Sequence, residues 1–115
     1  MKNIASIILV VTLQLIAVNS NAQKADKKEQ IVIKTSAVCE QCKERLEKAM
    51  AYEKGVVSSN LDVTTSKFTV VYKVDKTTPD KIRLAISKVG YDADSIKADQ
   101  KAYENLPQCC QKGGH

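Results

Sequence analysis

Two cysteines separated by two residues, Cys39 and Cys42, are the side chains whose types and spacing most directly suggest chemistry. They lie in the stretch TSAVCEQCK, between an alternating apolar segment and a helical pattern. Two thiols at this spacing can close a redox-active disulfide. As thiolates they can instead bind one soft ion such as Cu(I) or Hg(II), or supply half of a zinc site. The pair therefore predicts either metal binding or thiol–disulfide chemistry.

The elements around the pair follow from hydrophobic periodicity. Alternation predicts a first strand at about residues 30–35, and a helical repeat begins at Glu40 and stops before Gly55. Met50 lies on the apolar stripe of this helix and is expected in the core. The thiols are thus predicted at a junction between a strand and a helix.

The rest of the domain continues with two strands, a second helix and a weak last strand. VVSSNLDV and KFTVVYK predict a hairpin with its turn at TTS, and the predicted inward residues of its first strand are Val57, Leu61 and Val63. Thr78 and Pro79 predict the start of the second helix, and Gly90 its end. YDADSIKA, residues 91–98, is the predicted last strand.

This βαββαβ order over residues 29–98 predicts an α+β fold, the ferredoxin-like plait. Such a fold has a four-stranded antiparallel sheet with both helices on one face. The loop after the first strand then lies at one edge of the molecule. Cys42 falls in the first helical turn, where the helix dipole favours a thiolate, and Lys43 adds a nearby positive charge. Both thiols are expected at an exposed corner.

Three stretches of the chain together resemble the heavy-metal-associated domain of copper chaperones, copper-pumping ATPase modules and periplasmic mercury-binding proteins. They are TSAVCEQC, KERLEKAMAYEKGV and ISKVGYDA. The resemblance implies that Cys39 and Cys42 bind the metal and that Tyr91 lies near the metal loop and shields it. Ser36-Ala37-Val38 replaces the Gly-Met-Thr usual in that family, which predicts a differently packed loop.

The function that these features predict is the capture of a soft metal ion, followed by storage or transfer. Cu(I) is favoured, with Hg(II) or Zn(II) as alternatives. The resemblance implies a partner that donates or accepts the metal, such as a membrane metal transporter. We expect the protein to be a monomer.

The N-terminus predicts the compartment. Lys2 precedes an apolar run, Ile4 to Val18, that is shorter than the roughly 20 residues needed to span a bilayer. The following NSNAQ has small residues before a cleavage site, so residues 1–22 are predicted as a signal peptide cleaved between Ala22 and Gln23. Residues 23–28 would be a flexible N-terminus. We expect a periplasmic or secreted protein that meets the membrane only before cleavage; an uncleaved anchor is the alternative.

The C-terminal tail, residues 99–115, is not explained by the family pattern. A short helix is predicted from about Asp99 to Asn105, and the following residues able to bind metal are Cys109, Cys110 and His115. They could add a third thiolate to the first pair, form a separate or auxiliary metal site with His115 as an optional ligand, or form a disulfide or an idle end. Because a third thiolate would slow ligand exchange, the separate or auxiliary site is favoured.

Several function classes lack support in the sequence. The net charge of +5 is spread along 115 residues, without the basic stripe and interleaved aromatics typical of nucleic-acid binding. One terminal histidine and the absence of a glycine-rich phosphate loop argue against an enzyme. Asp92 and Asp94 are expected to be solvated. Two alternatives stay open: a thiol-disulfide oxidoreductase using the same cysteines, and an interaction module that has lost its metal.

Overall fold

A three-stranded antiparallel sheet carries the fold in the computed structural model, which describes residues 27–112. The strands are β1 (Lys28–Lys34), β2 (Val56–Asp62) and β3 (Lys67–Lys73), in the spatial order β1-β3-β2. The helices are α1 (Glu40–Ala51), α2 (Pro79–Val89) and the short α3 (Gln100–Glu104). The predicted signal peptide over 1–22 and His115 lie outside the described residues.

The central strand β3 pairs with both neighbours and supplies the middle of the core. Its residues Phe68, Val70 and Tyr72 alternate toward one face and are all buried, as the period of two predicts. Phe68 pairs with Ile33 of β1 and with Leu61 of β2, so three large apolar side chains meet on this face. The predicted hairpin of β2 and β3 is confirmed.

The inward face of β2 differs from the prediction at one residue. The pairing with β3 shifts register between Val56 and Ser58, which is the signature of a β-bulge. Val57 consequently points outward and is 44% exposed, while Val56 packs against the core. Leu61 is buried as expected.

The predicted fourth strand is not present among the described residues. Residues 91–98 form only two isolated bridges, Thr35 with Ala93 and Ala93 with Ile96. The cause is a turn at Asp94, whose positive φ of 52° is incompatible with a continuing strand. The segment still lies beside the end of β1, because the Asp94 N–H donates to the Lys34 carbonyl at 2.8 Å.

Asp92 and Asp94 hold this segment in place rather than facing solvent alone, which corrects the expectation from sequence. Asp94 Oδ1 accepts from the Lys34 N–H at 2.9 Å, and its Oδ2 accepts from Arg83 Nε at 2.8 Å. Asp92 Oδ1 accepts from the Ala98 N–H at 2.8 Å. Side-chain hydrogen bonds therefore replace the missing strand ladder.

Both longer helices bury one apolar stripe in the hydrophobic core. In α1 the buried residues Cys42, Leu46 and Met50 recur every four positions, and Met50 belongs to the core as predicted. Thr78 caps α2 by accepting from the Lys81 N–H at 3.3 Å, and Pro79 occupies the first helical position. No helix within residues 27–112 is long and apolar enough to cross a membrane.

Candidate metal centre

The cysteine pair lies at the junction between β1 and α1. Cys39 is the N-cap residue of α1, with extended backbone angles of −145° and 169°, and its side chain makes no capping bond. Cys42 lies in the first helical turn, on the same side as the cap residue. The two Sγ atoms are 3.1 Å apart, and both cysteines are free thiols. The fold therefore aims both sulfurs at one point.

The two thiols differ in exposure and in acidity. Cys42 is fully buried whereas Cys39 is half-buried. Burial opposes ionisation of Cys42, but polar neighbours led by the Tyr91 hydroxyl and the Val38 backbone outweigh it and lower the pKa to about 7. Burial and the neighbouring Cys42 thiol raise the pKa of Cys39. Cys42 is thus the first thiolate of the pair.

Lys43 stabilises the thiolates less than its place beside Cys42 in the sequence predicts. Its ammonium is held on the β2 side by Glu47 Oε2 at 2.6 Å, Asn60 Oδ1 at 2.9 Å and the Leu61 carbonyl at 3.1 Å. Glu47 lies one turn further along α1 and pairs with the Lys43 ammonium, so this positive charge is not free to stabilise a thiolate. The acidity of Cys42 rests on its polar contacts instead.

A third sulfur comes from the tail. Cys110 Sγ lies 3.9 Å from Cys39 Sγ, and the ligand atoms of Cys39, Cys42 and Cys110 all lie within 4.8 Å of one another. Cys110 is only 2% exposed. The sequence predicts a separate or auxiliary tail site, but in the structure Cys110 lies at the first pair, because the tail folds back over the start of α1.

Packing along the tail explains this return. Asp99 caps α3 by accepting from the Ala102 N–H at 3.0 Å, and Leu106 is buried. Gly90 has a φ of +120°, and a Cβ there would lie 3.1 Å from the Ala102 backbone and from Leu106 Cγ. The absence of a side chain at Gly90 therefore lets the tail pack closely against the end of α2, next to Tyr91.

The other two candidate ligands are placed differently. Cys109 is half-buried, and its thiol donates to Gln41 Oε1 at 2.8 Å. The backbone carbonyl of Cys109, rather than its sulfur, faces Cys39 Sγ at 3.6 Å. His115 lies outside the described residues. Of the tail residues that the structure describes, Cys110 is the one whose sulfur joins the pair.

Tyr91 lies under the thiols with its ring fully buried. Its hydroxyl makes no hydrogen bond of standard geometry among the described residues. Burial, together with the nearby thiols of Cys42 and Cys110, raises the pKa of Tyr91 far above its usual range. Tyr91 therefore presents a neutral O–H group to the sulfur cluster.

The sulfur triangle fits the size of one metal ion. For sides of 3.1 and 3.9 Å and a third side of at most 4.8 Å, the point equidistant from the sulfurs lies about 2.0–2.4 Å from each, close to a metal–thiolate bond of about 2.3 Å. Within residues 27–112 no other cluster of cysteine, histidine or acidic residues has this geometry. A site whose ligands are all thiolates prefers soft metal ions.

Comparison with known proteins identifies the family of this chain. The model of the heavy-metal-associated domain matches residues 31–92. A copper-exporting P-type ATPase of Staphylococcus aureus (strain JH9) is 37% identical over 67 residues, which are 58% of this chain and 8% of that ATPase. The chain thus corresponds to a small part of the relative's length.

Solved structures show the same fold. The CopZ metallochaperone is 26% identical with a TM-score of 0.54, over 56% of this chain and 98% of its own. The soluble region of the P-type ATPase CopA from Bacillus subtilis is 28% identical with a TM-score of 0.55, over 59% and 46%. Oxidized MerP from Ralstonia metallidurans CH34, at 20% identity and a TM-score of 0.56 over 59% and 96%, shares the fold. Because the family model covers more than half of its length, this chain belongs to the heavy-metal-associated domain family.

Proposed function

We propose that this protein captures Cu(I) outside the cytoplasm and passes it to a partner by thiolate exchange. The observation that carries this proposal is the Cys39–Cys42 pair, with sulfurs 3.1 Å apart at a helix start, in a heavy-metal-associated domain. Cu(I) is preferred because a cluster of thiolates offers soft ligands in low number. Hg(II) and Zn(II) are the competing ions.

The unequal burial of the two thiols suggests how exchange proceeds. A thiolate from the partner approaches from the side of the half-buried Cys39, because Cys42 is closed to solvent. A sulfur–metal bond to the partner forms, the bond to Cys39 breaks, and Cys39 takes up a proton. Cys42, whose pKa is the lower of the two, releases the ion last.

Sequence and similarity support the location and the partner. Residues 1–22 have the pattern of a cleaved signal peptide, so the proposed site of action is the periplasm or the cell exterior. The similar proteins include a copper-exporting ATPase and a metallochaperone. A membrane metal transporter or another thiol-bearing protein is therefore the proposed donor or acceptor.

Substitution of the pair tests the binding site. Cys39→Ser and Cys42→Ser should each lower Cu(I) affinity by more than the roughly 10–100-fold that loss of an outer-shell partner costs. Anaerobic competition against a Cu(I) chelator measures this. Cys109→Ser is the matched control, since its thiol points to Gln41, and it should bind almost normally. A doubly substituted protein that held copper as tightly as the wild type would refute the assignment.

Fractionation tests the location. Cells expressing the whole gene product are grown with added copper, zinc or mercury, and the protein is isolated from each compartment. Native mass spectrometry of the isolated protein should show copper bound to a chain beginning at Gln23. A copper-loaded chain that kept residues 1–22 and stayed in the cytoplasm would contradict the extracytoplasmic proposal.

A thiol-disulfide oxidoreductase is the second candidate, favoured by the close sulfurs and the pKa of about 7 at Cys42. However, the thiol with the lowered pKa is the buried one, and the more accessible Cys39 has a raised pKa. Disulfide exchange requires an accessible thiolate as the attacking group. We expect the reduced protein to reduce insulin no faster than a free dithiol; a clear rate above that level would favour the oxidoreductase.

A further inference from the structure

We propose that Cys110 is a third metal ligand, so that the C-terminal strap, residues 99–112, closes a three-thiolate site over the Cys39–Cys42 pair. The inference rests on the proposed function and adds a ligand from outside the family match, which ends at residue 92. It also assigns the tail a task in metal release.

The position of Cys110 is the first argument. Its sulfur lies 3.9 Å from Cys39 Sγ and belongs to the group of three ligand atoms that fall within 4.8 Å. A thiol that is 2% exposed could equally pack as a small apolar group. Here, however, it is buried against two other thiols and a tyrosine hydroxyl, where a shared cation would satisfy all three sulfurs.

The strap is held by contacts that do not involve sulfur. Gln111 Nε2 donates to the carbonyls of Tyr103, Glu104 and Leu106 at 3.3, 3.4 and 3.1 Å. Lys112 Nζ binds Asp92 Oδ2 at 2.6 Å, and the Lys112 N–H donates to the Tyr103 hydroxyl at 2.9 Å. The bonds of Gln111 and of the Lys112 N–H close the end of the strap onto its own helix and Leu106. The Lys112–Asp92 pair joins the strap to the segment after α2, so the third sulfur is in place before an ion arrives.

Tyr91 gives an independent indication that the cluster takes a ligand. Its hydroxyl is buried without a partner of standard geometry among the described residues, beside the thiols of Cys42 and Cys110. An unmade hydrogen bond at a buried hydroxyl is costly. Once the sulfurs become thiolates around a cation, they are strong acceptors, and the Tyr91 O–H can donate to one of them.

Metal binding and release involve no change of oxidation state. On binding, the three S–H groups lose their protons to solvent and three sulfur–copper bonds form. Release begins when a thiolate of the partner forms a bond to copper and the bond to Cys110 breaks, and Cys110 is reprotonated from solvent. The exchange at Cys39 described above follows, with a second thiolate of the partner. Cys110 leaves before Cys39 because its strap is held partly by the exposed Lys112, whereas Cys39 and Cys42 are fixed by α1.

The test compares Cys110→Ser with Cys109→Ser in the full reduced chain, loaded anaerobically with equimolar Cu(I). X-ray absorption spectroscopy counts the sulfur neighbours of copper. We expect a three-sulfur shell in the wild type and in Cys109→Ser, and a two-sulfur shell in Cys110→Ser. Transfer of copper to a chelator should be about tenfold faster in Cys110→Ser, which corresponds to ~1.4 kcal/mol.

A second variant, at an exposed residue, tests the proposal without changing the buried Cys110 side chain. Lys112→Ala removes an exposed side chain and leaves all four cysteines, so it should keep three-sulfur coordination and still speed transfer, because the strap opens more easily. A two-sulfur shell in the wild type, or equal transfer rates in the wild type and both variants, would overturn the third-ligand proposal while leaving the pair intact. Copper that stayed bound after Cys39 and Cys42 were both replaced would instead overturn the proposed function.

Discussion

At the scale of single residues, the chemistry of the centre depends on which thiol meets which polar group. Cys42 and Cys110 are both buried, and burial by itself raises the pKa of a thiol. Cys42 departs from this rule because the Tyr91 hydroxyl and the Val38 backbone stabilise its thiolate. Burial raises the pKa of Cys110 in the ordinary way.

Removing one oxygen atom tests this account. Tyr91→Phe keeps the ring in the core but deletes the hydroxyl that lowers the Cys42 pKa, so that pKa should rise above about 7. The measurement is the ultraviolet absorbance of thiolate in the reduced, metal-free protein as a function of pH.

The exposed Tyr52 supplies the control for this experiment, since Tyr52→Phe changes the same atom at a side chain that is 84% exposed. It should leave the thiolate titration unchanged. A titration unaltered by Tyr91→Phe would mean that the Val38 backbone and the helix start account for the acidity of Cys42.

At the scale of elements, the segment after α2 is fixed by side chains where a strand was predicted. Asp94 joins this segment to two elements, because its carboxylate accepts from the Lys34 N–H of β1 and from Arg83 of α2. Burial opposes ionisation of Asp94, but Arg83 and the Lys34 N–H outweigh it and lower its pKa below the usual value. The free energy of unfolding is linked to pH through this group.

Acid should therefore weaken the fold through Asp94. The lowered pKa favours the folded state above the ordinary carboxyl pKa of about 4, and this contribution is lost as the pH falls through the folded value. Asp94→Asn should cost about 1 kcal/mol at neutral pH, a modest figure because the Asp94 side chain is 33% exposed. The variant should also lose less stability than the wild type below about pH 4. Urea unfolding at several pH values measures both effects.

Two comparisons sharpen this prediction. Asp75→Asn changes a carboxylate on an exposed turn and should leave the acid dependence of the wild type intact. Asp92 will keep part of that dependence in Asp94→Asn, because contacts led by Lys112 lower its pKa against the effect of burial. Identical acid profiles for Asp94→Asn and the wild type would show that the Asp94 carboxylate does not link β1 to α2 energetically.

At the scale of the whole molecule, the tail converts a two-cysteine corner into a covered centre. Its helix α3 docks on Gly90, its Leu106 joins the core, and its Cys110 reaches the pair. The sulfurs of Cys39 and Cys110 thus lie together although their residues are 71 positions apart in the chain.

Truncation measures what the tail contributes to binding. A chain ending at Pro107 should bind the same number of Cu(I) ions as the full chain but less tightly, because the third thiolate and its anchors are removed. A chain ending at Lys112 lacks only residues 113–115, including His115, and should match the full chain. Anaerobic titration gives the stoichiometry and chelator competition the affinity. A lower stoichiometry after truncation at Pro107 would show a separate copper site in the tail.

The sequence by itself determined the local parts of this protein. Periodicity located three strands and two long helices, and Thr78, Pro79 and Gly90 marked the ends of α2, because caps and alternation depend on residues close together in the chain. Cys39 and Cys42 were identifiable for the same reason, since three positions along a helix start bring two side chains together.

Tertiary structure alone decided where the chain departs from these local rules. The bulge that turns Val57 outward depends on the β2–β3 pairing, and the turn at Asp94 depends on partners 60 and 11 residues away. The choice of Cys110 over Cys109 depends on how Leu106, Gln111 and Lys112 anchor the tail. Neighbouring cysteines look alike in a sequence, and only packing across 71 positions of the chain brings one of them to Cys39.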